Sequence, residues 1–180
     1  MIAQDIMPGI ASREEAELEQ RKAQAGAYEI KIVRALVVRE DSPDDVLNRA
    51  DKIAAFWREN VETSSWFDPD KEAVVVFILN RRNRLIAFNM VSLGTATASL
   101  AHPREVYRAA IIAAGSAVIL AHNHPSGDPS PSAADVQLTR QMREAGVTLE
   151  IPILDHVIVG RQTADPLGRG YYSFREAGLL

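Results

Sequence analysis

The sequence predicts a layered α/β (α+β) domain, and three observations carry that expectation. Apolar runs of strand length, EAVVVFILN (72–80) and LIAFNMVSLG (85–94), stand beside stretches whose apolar residues recur at helical spacing. The order is mixed: two strands follow one another across a short turn, whereas elsewhere strand and helix alternate. With 180 residues, 47% of them hydrophobic, the chain can bury the core of one compact domain.

Taken in order, residues 12–25 (SREEAELEQRKAQA) are helix formers and almost all polar, so residues 1–27 read as a polar helical or disordered extension. The domain proper is placed at 28–180. It opens with YEIKIVRALVVR (28–39), an Ile/Val-rich strand. Ser42-Pro43-Asp44-Asp45 suits a helix start, with a capping hydroxyl, a proline for the first turn and acids for the positive helix end. Val46, Leu47, Ala50, Ile53, Ala54 and Trp57 then mark its buried face. Asp68-Pro69-Asp70 closes the connection to the strand at 72–80, and RRNR (81–84) is a tight turn to the strand at 85–94. His102-Pro103-Arg104-Glu105 begins a helix expected to run to Gly115. AVILA (117–121) is a buried strand, Ser130-Pro131 starts a helix ending near Gly146, IPILDHVIVG (151–160) is a strand, and YYSF (171–174) is a short last one.

Composition narrows the function classes. The chain has no cysteine, which excludes disulfides and thiolate metal sites and suits a reducing compartment. Its N-terminus lacks a basic segment leading into an apolar run, and no apolar stretch approaches membrane-spanning length; a soluble, cytoplasmic protein with no membrane partner is expected. A net charge of −4 gives no basic footprint, so a DNA partner is not favoured. The cluster Arg81, Arg82 and Arg84 reads as a solvated turn rather than a DNA patch.

The chemistry concentrates in AHNHPSGDPSPSAAD (121–135). Strand residues at i and i+2 point to one side, so His122 and His124 can present two imidazoles to one point. The Pro/Ser/Gly-rich loop then reverses the chain, and Ser132 and Asp135 share a face at the start of the next helix. Two neutral imidazoles and a carboxylate make a three-ligand set for Zn²⁺ that leaves a fourth position open. A lone histidine is usually structural and His-x-His pairs also occur on surfaces, but the pair, the loop, the serine and the aspartate together favour metal. Asp155-His156 is a second polar pair in an apolar strand. It reads equally as a group backing the metal ligands or contacting substrate and as a satisfied structural pair.

His-x-His, seven residues, Ser, two residues, Asp is the motif of the JAMM (MPN) metalloprotease superfamily. The longer string HPREVYRAAIIAAGSAVILAHNHPSGDPSPSAAD, followed by LDHVIVG, resembles the RadC family within it. The likeness runs from about residue 70 to 180, is weaker over 28–69, and is absent before that. It implies a mixed β-sheet flanked by helices, in the JAB/MPN cytidine-deaminase-like architecture, and one zinc per chain held by His122, His124 and Asp135. An upstream glutamate of such enzymes stands in Glu-x-x-Gly-x-Leu; EAVVVFIL occupies that place, with Val75 at the glycine, which makes Glu72 the implied general base. Glu105 is the alternative base, although its place in His-Pro-Arg-Glu also fits a helix start. Ser132 matches the serine that steadies the oxyanion, and it can also bond within the first helical turn. The implied reaction is hydrolysis of a peptide or isopeptide amide of a protein or peptide substrate, with zinc acidifying water and Glu72 moving its proton. Two other classes compete. RadC proteins are associated with DNA repair, which allows a DNA-binding or nuclease protein, and the fold can also serve as a non-catalytic metal-bearing interaction module.

Overall fold

In the computed structural model, which describes residues 47–94 and 101–180 together with the backbone of Leu36–Val37, the apolar runs form a six-stranded mixed sheet. The strands are β1 (Leu36–Val37), β2 (Glu72–Leu79), β3 (Leu85–Gly94), β4 (Ala117–Asn123), β5 (Ile153–Val159) and β6 (Tyr171–Ser173). Helices are α1 (Ala50–Phe56), continued by a π-helical turn over Trp57–Val61, α2 (Pro103–Ile112) and α3 (Ala133–Leu149). The strand order is β1-β3-β2-β4-β5-β6, with β4 and β5 parallel and every other neighbouring pair antiparallel. This is the mixed, helix-flanked sheet that the sequence led one to expect. The expectations for residues 1–27, for 28–39 beyond Leu36–Val37, and for Ser42–Asp45 fall outside the described residues.

Strand β2 explains why EAVVVFIL is apolar at almost every position. It lies between β3 and β4, and helices cover both faces. Val75, Phe77 and Leu79 pack with Ile53 and Trp57 on one face, while Val74, Val76 and Ile78 pack with Val106, Tyr107, Leu138 and Met142 on the other. At about 25 cal/mol per Å² of apolar surface, fully burying each such side chain contributes on the order of 1.5–3 kcal/mol. The helix α3 carries the chain from β4 to its parallel neighbour β5, so the carboxyl ends of these two strands lie side by side, with His122 opposite Ile158 and Asn123 opposite Val159. In open α/β sheets that end is where loops gather functional groups. Among the described residues, no helix is long and apolar enough to cross a membrane.

Several boundaries differ from expectation, each for a local reason. Among the described residues, helix α1 begins at Ala50: Arg49 is extended (φ −139°, ψ 145°), and the Asn48 carbonyl accepts from the Arg175 guanidinium. Helix α2 stops at Ile112, and the left-handed residue beyond it is Ala114 (φ 52°), not Gly115. Gly115 serves packing instead, because a Cβ there would overlap Ile78. Helix α3 passes through Gly146 to Leu149 and ends at left-handed Glu150 (φ 56°). At Gly146 a Cβ would stand 2.6 Å from the Tyr107 hydroxyl and 2.7 Å from the Ile151 carbonyl. The RRNR turn is organised by its asparagines: Asn80 Oδ1 accepts from the amides of Arg82 and Arg84, and Asn83 takes φ 56°.

Gly146→Ala is a direct test of that packing. On an exposed helix the change would stabilise by about 1 kcal/mol. Here overpacking is expected to destabilise by about 1–3 kcal/mol, read as a lowered urea midpoint; a stabilised variant would contradict the close contact.

Candidate metal centre

Alternation along β4 sorts the residues of the HNH triplet. Val118 and Leu120 face α2 and α3, so His122 does too, and its ring is buried. Asn123 turns to the other side. Its Oδ1 accepts from the Ala73 amide at 2.8 Å and its Nδ2 donates to the Lys71 carbonyl at 3.0 Å, which clasps the backbone on both sides of Glu72. Since Val74 pairs with His122, the antiparallel register carried two residues further sets Glu72 opposite His124. Glu72 is half-buried there, at the start of β2.

Asp135 enters from α3. Ser132 is the N-cap, and the two residues form a reciprocal capping box: the Asp135 amide donates to Ser132 Oγ (3.2 Å), and the Ser132 amide donates to Asp135 Oδ2 (2.7 Å). The Ser132 hydroxyl also donates to Oδ2, at 2.6 Å. With Oδ2 so held, Oδ1 lies 3.2 Å from His122 Nε2, and Oδ2 lies 3.5 Å from His124 Nε2. The two Nε2 atoms are 3.1 Å apart. His122, His124 and Asp135 thus bring one ligand atom each within 4.8 Å of one another, a group that can hold a metal ion.

The surrounding hydrogen bonds decide which ring nitrogens carry protons. Thr139 Oγ1 donates its single proton to the Asp135 carbonyl at 2.7 Å. Its oxygen therefore accepts from His156 Nδ1, also at 2.7 Å. Burial foremost keeps His156 well below the ordinary imidazole range, so this ring is neutral and its Nε2 is an acceptor. His122 Nδ1 then donates to it at 2.9 Å, which leaves the His122 Nε2 lone pair bare and pointed at the cluster. On the other ring, His124 Nδ1 donates to the Asp128 carbonyl at 2.8 Å, so in the neutral imidazole Nε2 is the bare nitrogen. Two lone pairs and a carboxylate converge, an arrangement that repels itself unless a cation sits among them. In the metal-free protein a proton on a ring nitrogen plays the cation's part. Burial would push the Asp135 carboxyl up, yet its hydrogen bonds with His122 and His124 hold it well below the usual carboxylate range. Burial would lower His124, but its bonds to Asp135 and the Asp128 carbonyl, with the charges of Asp135 and Glu72, raise it.

Asp155 and His156 part company. Neighbours on a strand face opposite sides, so His156 meets His122 and Thr139 while Asp155, opposite Ile119, looks away from the cluster. Asp155 accepts from Ser173 Oγ (2.7 Å) and from the Arg175 amide (3.1 Å), tying β6 and the turn after it to β5. Its burial raises its pKa, against the pull of those donors. Glu105 sits in the first turn of α2, where Arg104 (3.1 Å) and Arg108 (2.7 Å) hold its carboxylate and no cluster residue is among its partners. Thr139 and the Asp128 carbonyl escaped the sequence reading. Thr139 lies four residues after Asp135 on the same helix face, the one signal that pointed to it.

A family model described as the RadC-like JAB domain matches residues 47–179. Among curated proteins, a UPF0758 protein of Symbiobacterium thermophilum is 52% identical over 105 residues, which cover 58% of this chain and 42% of that protein. One from Thermotoga maritima is 46% identical over 111 residues, 62% of this chain and 47% of its own. One from Alkaliphilus metalliredigens is 39% identical over 142 residues, 79% of this chain and 53% of its own. The chain spans about half the length of the curated relatives it matches.

The split between Asp155 and His156 has a measurable consequence. Asp155→Asn removes the anionic acceptor from a buried site and is expected to destabilise by about 1–3 kcal/mol, as measured by urea unfolding. Metal uptake by the folded variant should match the parent; loss of metal binding with unchanged stability would reverse the assignment.

Proposed function

Because this chain belongs to the RadC-like JAB domain family, we propose that it is a zinc-dependent hydrolase acting on an amide, in a peptide bond or at a lysine isopeptide, of a protein or peptide substrate. One observation carries the reading: the bare Nε2 atoms of His122 and His124 converge with the Asp135 carboxylate. Two imidazoles and one carboxylate suit the borderline-soft, tetrahedral zinc ion and leave a position for chemistry, which a purely structural site does not need. The basic side chains Arg81, Arg82 and Arg84 belong to the far end of β2 from Glu72, so they do not line this cluster. That favours the amide over a nucleic-acid substrate.

When bound, zinc supplies Lewis acidity, polarising a carbonyl and making water acidic near neutral pH. Glu72, opposite His124 and fixed through its neighbours by Asn123, takes a proton from the attacking water and delivers it to the departing amine nitrogen. The carbonyl carbon gains the water oxygen and loses the nitrogen, so one amide becomes an acid and an amine. The Ser132 hydroxyl can turn from Asp135 Oδ2 toward the developing oxyanion, because the Ser132 amide keeps that carboxylate oxygen in place.

Protein purified without added metal is expected to carry about one zinc per chain by elemental analysis, largely lost in Asp135→Ala. Glu72→Gln should retain the zinc and lower cleavage of a lysine-linked amide by roughly 10²–10⁴-fold. A metal-free parent, or a Glu72→Gln variant with the parental rate, would overturn the proposal. Retention of DNA at moderate salt together with no amide cleavage would favour the nucleic-acid reading. Thr139→Val keeps the shape but removes the oxygen that orients His156 and, through it, His122. Zinc affinity is expected to fall roughly 10–100-fold in a chelator competition, and parental affinity would contradict that dependence.

A further inference from the structure

His122 and His124 are held by different means. The His122 side chain is 1% exposed and that of Asp135 is 9% exposed, each fixed by the core or by a capping box. His124, 17% exposed, lies just beyond the last residue of β4, in the loop. Its ring direction is set by the Asp128 carbonyl, and hence by the path of residues 124–128. Within this segment the Gly127 amide donates to the His124 carbonyl at 2.9 Å, closing a tight turn in which Gly127 takes φ 83°. A turn of this kind, mostly on the surface, does not by itself hold a ring to within tenths of an ångström.

We propose that Gly160 and Arg161, at the end of β5, are positioning residues for His124; this rests on the metal reading above. Three hydrogen bonds fasten the loop to this segment: the His124 amide to the Val159 carbonyl (3.2 Å), the Arg161 amide to the Gly127 carbonyl (2.8 Å), and the Arg161 guanidinium to the Ser126 carbonyl. The fit between the two strips is close on both sides. A Cβ at Gly160 would overlap the Gly127 carbonyl oxygen and stand 2.9 Å from Pro129 Cδ, and a Cβ at Gly127 would overlap the Arg161 guanidinium. Only glycine at 160 lets the loop lie down on the end of β5, and Arg161 then covers it. The segment is itself anchored. The Gly160 amide donates to the Gly170 carbonyl at 3.0 Å, and Arg58 Nη2 donates to the same carbonyl at 2.9 Å. Contact therefore runs from the π-helical turn carrying Arg58 through Gly160 and Gly127 to Asp128 and the His124 ring. Arg161 touches neither the donor atoms nor a reacting group; it acts through the loop.

The test uses the full chain with cobalt(II) as an optical probe of the metal site, in Arg161→Ala, Arg161→Lys and Gly160→Ala. Thermal unfolding of metal-free Arg161→Ala is expected to match the parent. Its cobalt affinity, from chelator competition, should drop roughly 10–100-fold with an altered visible spectrum, the size expected when a group supporting a ligand is removed. Arg161→Lys should recover part of the loss, and Gly160→Ala should lose more. If Gly160→Ala fails to fold, Arg161→Ala decides alone. Parental affinity and spectrum in Arg161→Ala would overturn the proposal. A parent that binds no cobalt would sink the metal reading instead, and amide hydrogen exchange in metal-free protein then tests the clamp by itself. Arg161→Ala should speed exchange at Gly127 while β4 and β5 keep their protection; unchanged exchange at Gly127 would refute it.

Discussion

The hydroxyl of Thr139 has one proton to give, and it gives it to the carbonyl of Asp135 one helical turn earlier. That single commitment fixes everything downstream. His156 must donate to Thr139, His122 must donate to His156, and the lone pair left on His122 faces His124 and Asp135. The relay works because it is buried: in a low-dielectric interior a neutral His156 is strongly favoured, and an unsatisfied ring nitrogen there would be costly. The Phe174 ring, itself buried, stacks on that of His156 with centroids 4.9 Å apart.

Topology puts the relay in reach of the cluster. β4 lies between an antiparallel neighbour, which brings Glu72 to the same end as the histidines, and a parallel neighbour, which places His156 beside Leu120 on the same face. The connecting helix α3 starts at that end, so its capping box delivers Asp135 as a by-product of an ordinary helix start. Serine at the N-cap and aspartate three residues on are therefore needed twice, for the helix and for the carboxylate orientation. A substitution at Ser132 perturbs both, and its effect on chemistry cannot be separated from its effect on the cap without measuring each.

The sequence was legible where one physical rule dominated. β2 and β3 read clearly because burial of β2 on both faces demands an unbroken apolar run, and the asparagine-containing link between them is short. The convergence of His122, His124 and Asp135 was legible because two residues apart on a strand means one face, and three residues apart at a helix start means one capping box. Helix ends were not. Gly115 and Gly146 look like stop signals, yet both glycines are there to let another element approach, and Ala114 and Glu150 adopt the left-handed conformation in their place. The bond from Arg175 to the Asn48 carbonyl, just before α1, is a tertiary contact that no local pattern announces. Asp155 and His156 look like a unit in the sequence, but strand alternation alone assigns them to opposite faces. Thr139 was harder, since its spacing from Asp135 marks only the helix face and its role comes from His156 on the strand packed against it.

The most direct measurement is anomalous diffraction at the zinc edge from crystals grown with zinc at neutral pH. The expected result is one site per chain about 2.0–2.1 Å from Nε2 of both His122 and His124, and about 2.0–2.2 Å from an Asp135 oxygen, with the His122 Nδ1 to His156 contact preserved. No anomalous peak among these three residues, or a metal bound through Nδ1 with the relay broken, would contradict the arrangement of lone pairs on which the whole assignment stands.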